Sequence, residues 1–84
     1  MNNTIFIGGL SWNLQSEDLK DIFSEHATVV SANVIFDRET NRSKGFGFVE
    51  FETADDANAI KEKFDGAELD GRKVFIDFAR KRED

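Results

Sequence analysis

From Lys44 to Phe51 the chain reads Lys-Gly-Phe-Gly-Phe-Val-Glu-Phe. An extended strand sends alternate side chains to opposite faces. Phe46, Phe48 and Glu50 therefore share one face, and Gly47, Val49 and Phe51 share the other. With phenylalanine on both faces, a sheet covered on one side only leaves two rings in water. Rings exposed in that way suit a flat partner, and nucleic-acid bases are the commonest one.

The remaining pattern predicts a sheet of this kind. Ile5-Phe6-Ile7 is a short apolar strand stopped by Gly8-Gly9. Gln15 or Ser16 opens a helix whose apolar stripe, Leu19, Ile22, Phe23 and His26, follows i, i+3, i+4, i+7. A second strand covers about Ser31 to Phe36. The polar run 37–43 reads as a long hairpin loop, and Gly45 to Phe51 is the third strand. Thr53, with Asp56 three residues on, starts a second helix with Ala57, Ile60 and Phe64 inward. Asp65-Gly66 ends it, Asp70-Gly71 is a turn, and Val74 to Phe78 is the last strand. The order βαββαβ predicts an α+β, ferredoxin-like sandwich: a four-stranded antiparallel sheet with two helices on one face. The expected domain spans 4–81, with 82–84 a flexible tail or the start of a linker.

Composition narrows the function. The chain has 84 residues, no cysteine and one histidine, which excludes disulfides, thiolate zinc sites and a histidine metal cluster. No apolar run approaches the roughly 20 residues needed to span a bilayer. The first residues have neither the basic start nor the apolar stretch of a secretion signal. The expectation is an intracellular protein without a membrane, nuclear or nucleolar in a eukaryote and cytoplasmic otherwise. The net charge of −6 is sorted by segment. Acids crowd 17–25 and 50–70, whereas Arg38, Arg42 and Lys44, and then Arg80, Lys81 and Arg82, form basic groups. One acidic back and one mildly basic face fit that sorting. The carboxylates lie on predicted helix surfaces, and no nucleophile–base pair has a suitable spacing, so no catalysis is expected.

The residues also resemble a known family. Lys44 to Phe51 matches the ribonucleoprotein consensus K/R-G-F/Y-G/A-F-V-x-F/Y at every position. Ile5-Phe6-Ile7-Gly8-Gly9-Leu10 is similar to the family's second motif. Asp37-Arg38-Glu39-Thr40 and Leu69-Asp70-Gly71-Arg72 are similar to its usual connections. The chain thus resembles an RNA-recognition motif from Thr4 to about Lys81, and Gly8-Gly9-Leu10-Ser11-Trp12 is similar to hnRNP and nucleolin-like members. The resemblance implies that Phe6 lies beside Phe46 and Phe48, that Phe6 and Phe48 each stack a base, that Phe46 packs against sugars, and that Lys44 meets a phosphate.

Other positions carry open alternatives. Phe75 alternates onto the open face, as a fourth stacking ring or an apolar edge residue. Asn33 either reads a base edge or is merely solvated. Arg42 is a phosphate clamp or part of a solvated hairpin, and Arg80 and Lys81 give added contacts or long-range attraction. Trp12 reads as a packing residue under its loop, and His26 as a core or edge histidine. The expected partner is single-stranded RNA, then single-stranded DNA, bound by a monomer without cofactor or metal. A tandem domain would add affinity. The alternative is a protein-interaction module using the same sheet or the acidic helices.

Overall fold

The computed structural model describes residues 3–69 and 71–79. Its elements are β1 (Thr4–Gly8), α1 (Ser16–Ser24), β2 (Val29–Phe36), β3 (Ser43–Phe51), α2 (Ala54–Phe64), β4 (Glu68–Leu69), β5 (Arg72–Lys73) and β6 (Phe75–Phe78). Four strands form one antiparallel sheet in the order β2-β3-β1-β6. β4 and β5 form a separate small hairpin across the Gly71 turn. The ferredoxin-like α+β expectation is met, with that hairpin added.

Alternation along the strands creates the two layers. Ile5, Ile7, Val49, Phe51 and Ile76 point into the core and are buried. They meet Leu19 and Phe23 of α1 and Ala57 and Ile60 of α2. The Phe23 ring joins the layers, standing edge-on to Phe51 at 6.2 Å and to Phe64 at 5.1 Å. Fully burying one such ring stabilises the fold by about 1.5–3 kcal/mol. Both helices cover the same face: α1 lies over β2 and β3, and α2 over β1, β3 and β6.

Helix ends follow local chemistry. Gln15 is the N-cap of α1, and its N–H donates to Asp18 Oδ2 at 2.8 Å. Ser16 does not take over the cap. Its Oγ instead accepts the Val34 N–H at 2.9 Å, tying α1 to β2. Thr53 Oγ1 accepts the Asp56 N–H at 3.1 Å and caps α2. Asp65 ends α2, and its Oδ1 accepts the Ile76 N–H at 3.0 Å, fixing that helix to β6.

Several boundaries differ from the sequence pattern: β1 and β3 extend to Thr4–Gly8 and Ser43–Phe51, and three others have local causes. β2 begins at Val29, because its edge position tolerates the irregularities between Val29 and Ser31 and between Val34 and Phe36. The last strand begins at Phe75: Val74 N–H donates to Ala67 O at 2.8 Å, and its carbonyl accepts from Gly66 N at 2.9 Å. Finally, α1 stops at Ser24, and the Phe23 carbonyl accepts N–H bonds from His26 and Ala27, both at 3.0 Å. His26 thus leaves the helical frame and is exposed rather than core. Its ring lies 5.1 Å from that of Phe64, and its Nδ1 is 3.2 Å from Lys63 Nζ.

Gly47 is a steric requirement of the sheet. It is buried on the core side, and a Cβ there would run into the Asn33 carbonyl oxygen and crowd Val34 Cα. β2 and β3 could not keep this approach with any larger residue.

Candidate nucleic-acid interface

The face away from the helices is laid out by register. One row runs Phe75, Gly8, Phe46 across β6, β1 and β3. The next runs Asp77, Phe6, Phe48, Asn33 across all four strands. A third joins Thr4, Glu50 and Ser31. Because β1 and β3 are the central strands, Phe6 falls directly opposite Phe48.

The rings make one connected surface. Phe6 lies 5.7 Å from Phe46 with the planes tilted by 36°, and 5.7 Å from Phe48 at 64°. Phe6 and Phe46 are half-buried by these neighbours, while Phe48 is 37% exposed and Phe75 is 58% exposed. The structure therefore puts Phe75 on the open face with the other three. Each ring contributes a π-surface on which any base can stack.

Polar groups border the rings. Asn33 is exposed beside Phe48, and Glu50 is half-buried with Ser31 Oγ 3.5 Å from its Oε1. Asp77 Oδ1 accepts the Phe78 N–H at 2.8 Å on the edge strand. Lys44 and Arg42 are exposed at the start of β3 and just before it. Arg80 and Lys81 lie outside the described residues, as do 82–84. No group of three or more histidines and carboxylates among the described residues could hold a metal ion, and no helix there is long and apolar enough to cross a membrane.

Two loops extend this face at the Phe46 end. The hairpin after β2 is closed by Asp37 N–H to Arg42 O at 2.7 Å and Asn41 N–H to Asp37 O at 2.8 Å. Asn41 takes a positive φ of 56°, and Asp37 Oδ1 accepts the Glu39 N–H at 2.9 Å. Leu10 N–H donates to Gly45 O at 2.8 Å, which lays the chain after β1 against the start of β3. A turn from Ser11 to Leu14 follows, with Leu14 N–H on Ser11 O at 3.1 Å and Asn13 N–H on Ser11 Oγ at 3.3 Å.

Trp12 occupies that turn and corrects its sequence assignment. Leu10, Ser11 and Leu14 are buried, but Trp12 is 68% exposed, and the Arg42 guanidinium lies 6.0 Å from the centre of its ring. Packing under the loop is done by the two leucines. The Ser-x-Asn turn chemistry was the available signal, since such a turn holds its second residue at the tip.

Comparisons with known proteins agree with this geometry. The family model described as RNA recognition motif matches residues 5–74. The chain is 45% identical over 82 residues to the mitochondrial glycine-rich RNA-binding protein 4 of Arabidopsis thaliana, covering 98% of this chain and 60% of that protein. It is 40% identical to the chloroplastic 31 kDa ribonucleoprotein of Nicotiana plumbaginifolia, covering 96% of this chain and 28% of that protein. The crystal structure of RNA binding protein PG1 matches with a TM-score of 0.88 and 41% identity, over 96% of this chain and 98% of that one. The chain thus spans about 60% or less of these two curated relatives. Their mitochondrial and chloroplastic names overturn the nuclear or nucleolar expectation. Base-stacking chemistry is the same in every compartment, so the rings carry no address.

Proposed function

Because this chain belongs to the RNA recognition motif family and is an RNA-binding module, we propose that it holds single-stranded RNA across the open sheet face, mainly by stacking. The observation that carries this reading is the connected set of Phe6, Phe46 and Phe48, with exposed Phe75 on the same face, on the side covered by neither helix. Phe6 and Phe48 each stack a base, Phe46 packs against the sugars between them, and Phe75 extends the surface towards β6. Lys44 and Arg42 meet phosphates, and Asn33 meets a base edge. Trp12 offers a further ring beyond Phe46. Arg80 and Lys81 add contacts as the strand leaves β6.

Stacking two or three bases supplies roughly 3–7 kcal/mol, against about 8 kcal/mol for micromolar binding. A monomeric unit of residues 4–81 therefore binds RNA weakly to micromolar, and single-stranded DNA more weakly. A second domain on the same chain would raise affinity through effective concentration. The organellar names among the relatives support an organellar RNA as target.

The test is a titration with short mixed-sequence RNAs at low salt, following the amides and rings of residues 6, 46, 48 and 75. Those signals shift together if the face is the interface. Signals that stay still for every oligonucleotide refute it.

A further inference from the structure

Glu50 places a carboxylate on the face proposed to receive a polyanion. It stands on central strand β3, two residues from Phe48 and on the same face, in register with Thr4 and Ser31. Among the described residues, the hydrogen-bonding neighbour of its side chain is the Ser31 hydroxyl at 3.5 Å, and it makes no ion pair there. A carboxylate there works against phosphate binding. It can serve the interface only by accepting hydrogen bonds from a base, because it has acceptors and no donor.

Resting on the interface proposed above, we infer that Glu50, with Asn33, makes the Phe48 position selective for guanine. A base lying on Phe48 turns one side towards Glu50 along β3 and another towards Asn33, which is paired with Phe48 across β2. Guanine alone carries two adjacent donors on its pairing edge, N1–H and N2–H, and these match the two oxygens of one carboxylate. Its neighbouring O6 accepts from the Asn33 amide, which has both a donor and an acceptor. Adenine and cytosine each offer one amino group beside an acceptor. Uracil presents N3–H between two carbonyl oxygens, which a carboxylate repels. The resulting order is guanine, then adenine and cytosine, then uracil. Stacking cannot produce this order, because every base has a π-face. Edge contacts of this kind are how single-stranded RNA is distinguished.

The experiment uses short RNAs that differ only at one central base: guanine, inosine, 7-deazaguanine or uracil. Inosine lacks the N2 amino group and 7-deazaguanine lacks N7, which the arrangement leaves unused. Guanine and 7-deazaguanine should bind alike, and both roughly tenfold tighter than inosine, as expected when one of two paired edge contacts is lost. Glu50→Gln, which presents one oxygen in place of two, should close the gap between guanine and inosine while the Phe6 and Phe48 ring signals still respond to RNA. Equal affinity for guanine and inosine, or a gap that survives in Glu50→Gln, overturns the inference and leaves the interface standing. Ring signals that respond to no RNA overturn both, and the ring spectra tell the two failures apart.

Discussion

The Arg42 guanidinium lies 6.0 Å from the centre of the Trp12 ring, so a hairpin cation and a loop aromatic meet at the Phe46 end of the sheet. In the same loop Leu10 and Leu14 are buried, whereas the ring itself is largely exposed and supports no core. Trp12→Ala should therefore weaken RNA binding by about 1–3 kcal/mol. Folding stability should stay within about 0.5 kcal/mol of the parent, as for surface substitutions generally. Trp12 is the only tryptophan, so quenching of its fluorescence on adding RNA checks its part in binding directly.

Phe48 and Phe51 lie in one strand on opposite faces, and their substitutions should separate binding from folding. Phe48→Ala is expected to abolish measurable binding while the melting temperature changes little, because the ring is 37% exposed. Phe51 is wholly buried, and Phe51→Ala should destabilise the domain by about 3–5 kcal/mol. Thermal unfolding of both variants, with an RNA titration of Phe48→Ala, decides the matter. A large fall in melting temperature for Phe48→Ala would mean that its ring supports the core.

Gly47→Ala tests the approach of β2 to β3. The added methyl would collide with the Asn33 carbonyl, and backbone cannot swing aside as a side-chain tip can. A cost of about 1–3 kcal/mol is expected from such overpacking. Urea unfolding measures it, and chemical-shift changes should concentrate on Asn33, Val34 and their neighbours.

Salt dependence reports how much of the binding is charge. If Lys44, Arg42 and the basic residues Arg80 and Lys81 supply the two or three phosphate contacts proposed above, the log–log slope on single strands should be about −2. Lys44→Ala should make that slope shallower by about 0.7 while lowering affinity for all sequences alike. A slope several times steeper would show that charge outweighs stacking.

Much of this was legible in the chain. The apolar spacing of Leu19, Phe23, Ala57 and Ile60 marked the faces that the two helices bury. Thr53 with Asp56 marked a real cap. Of its two alternatives, His26 takes the edge rather than the core, because its i+7 spacing extends a helix that has already ended at Ser24. Periodicity cannot show where the hydrogen bonding stops. Trp12 was misread because a large apolar ring favours burial on average, whereas one turn hydrogen bond and two adjacent leucines decide its position.

Alternation along Lys44–Phe51 is a property of the extended backbone, so the division of its phenylalanines between two faces was settled by the sequence alone. Which face would be covered, and what would stand beside the open rings, was decided only in three dimensions. Phe6 and Phe48 are far apart in the chain and meet through the β1–β3 register. Phe75 joins them because β6 pairs with the other edge of β1. Glu50 lies beside Ser31, and Arg42 over Trp12, through separate long-range contacts. Such neighbours follow from strand order and loop closure, which no local pattern specifies.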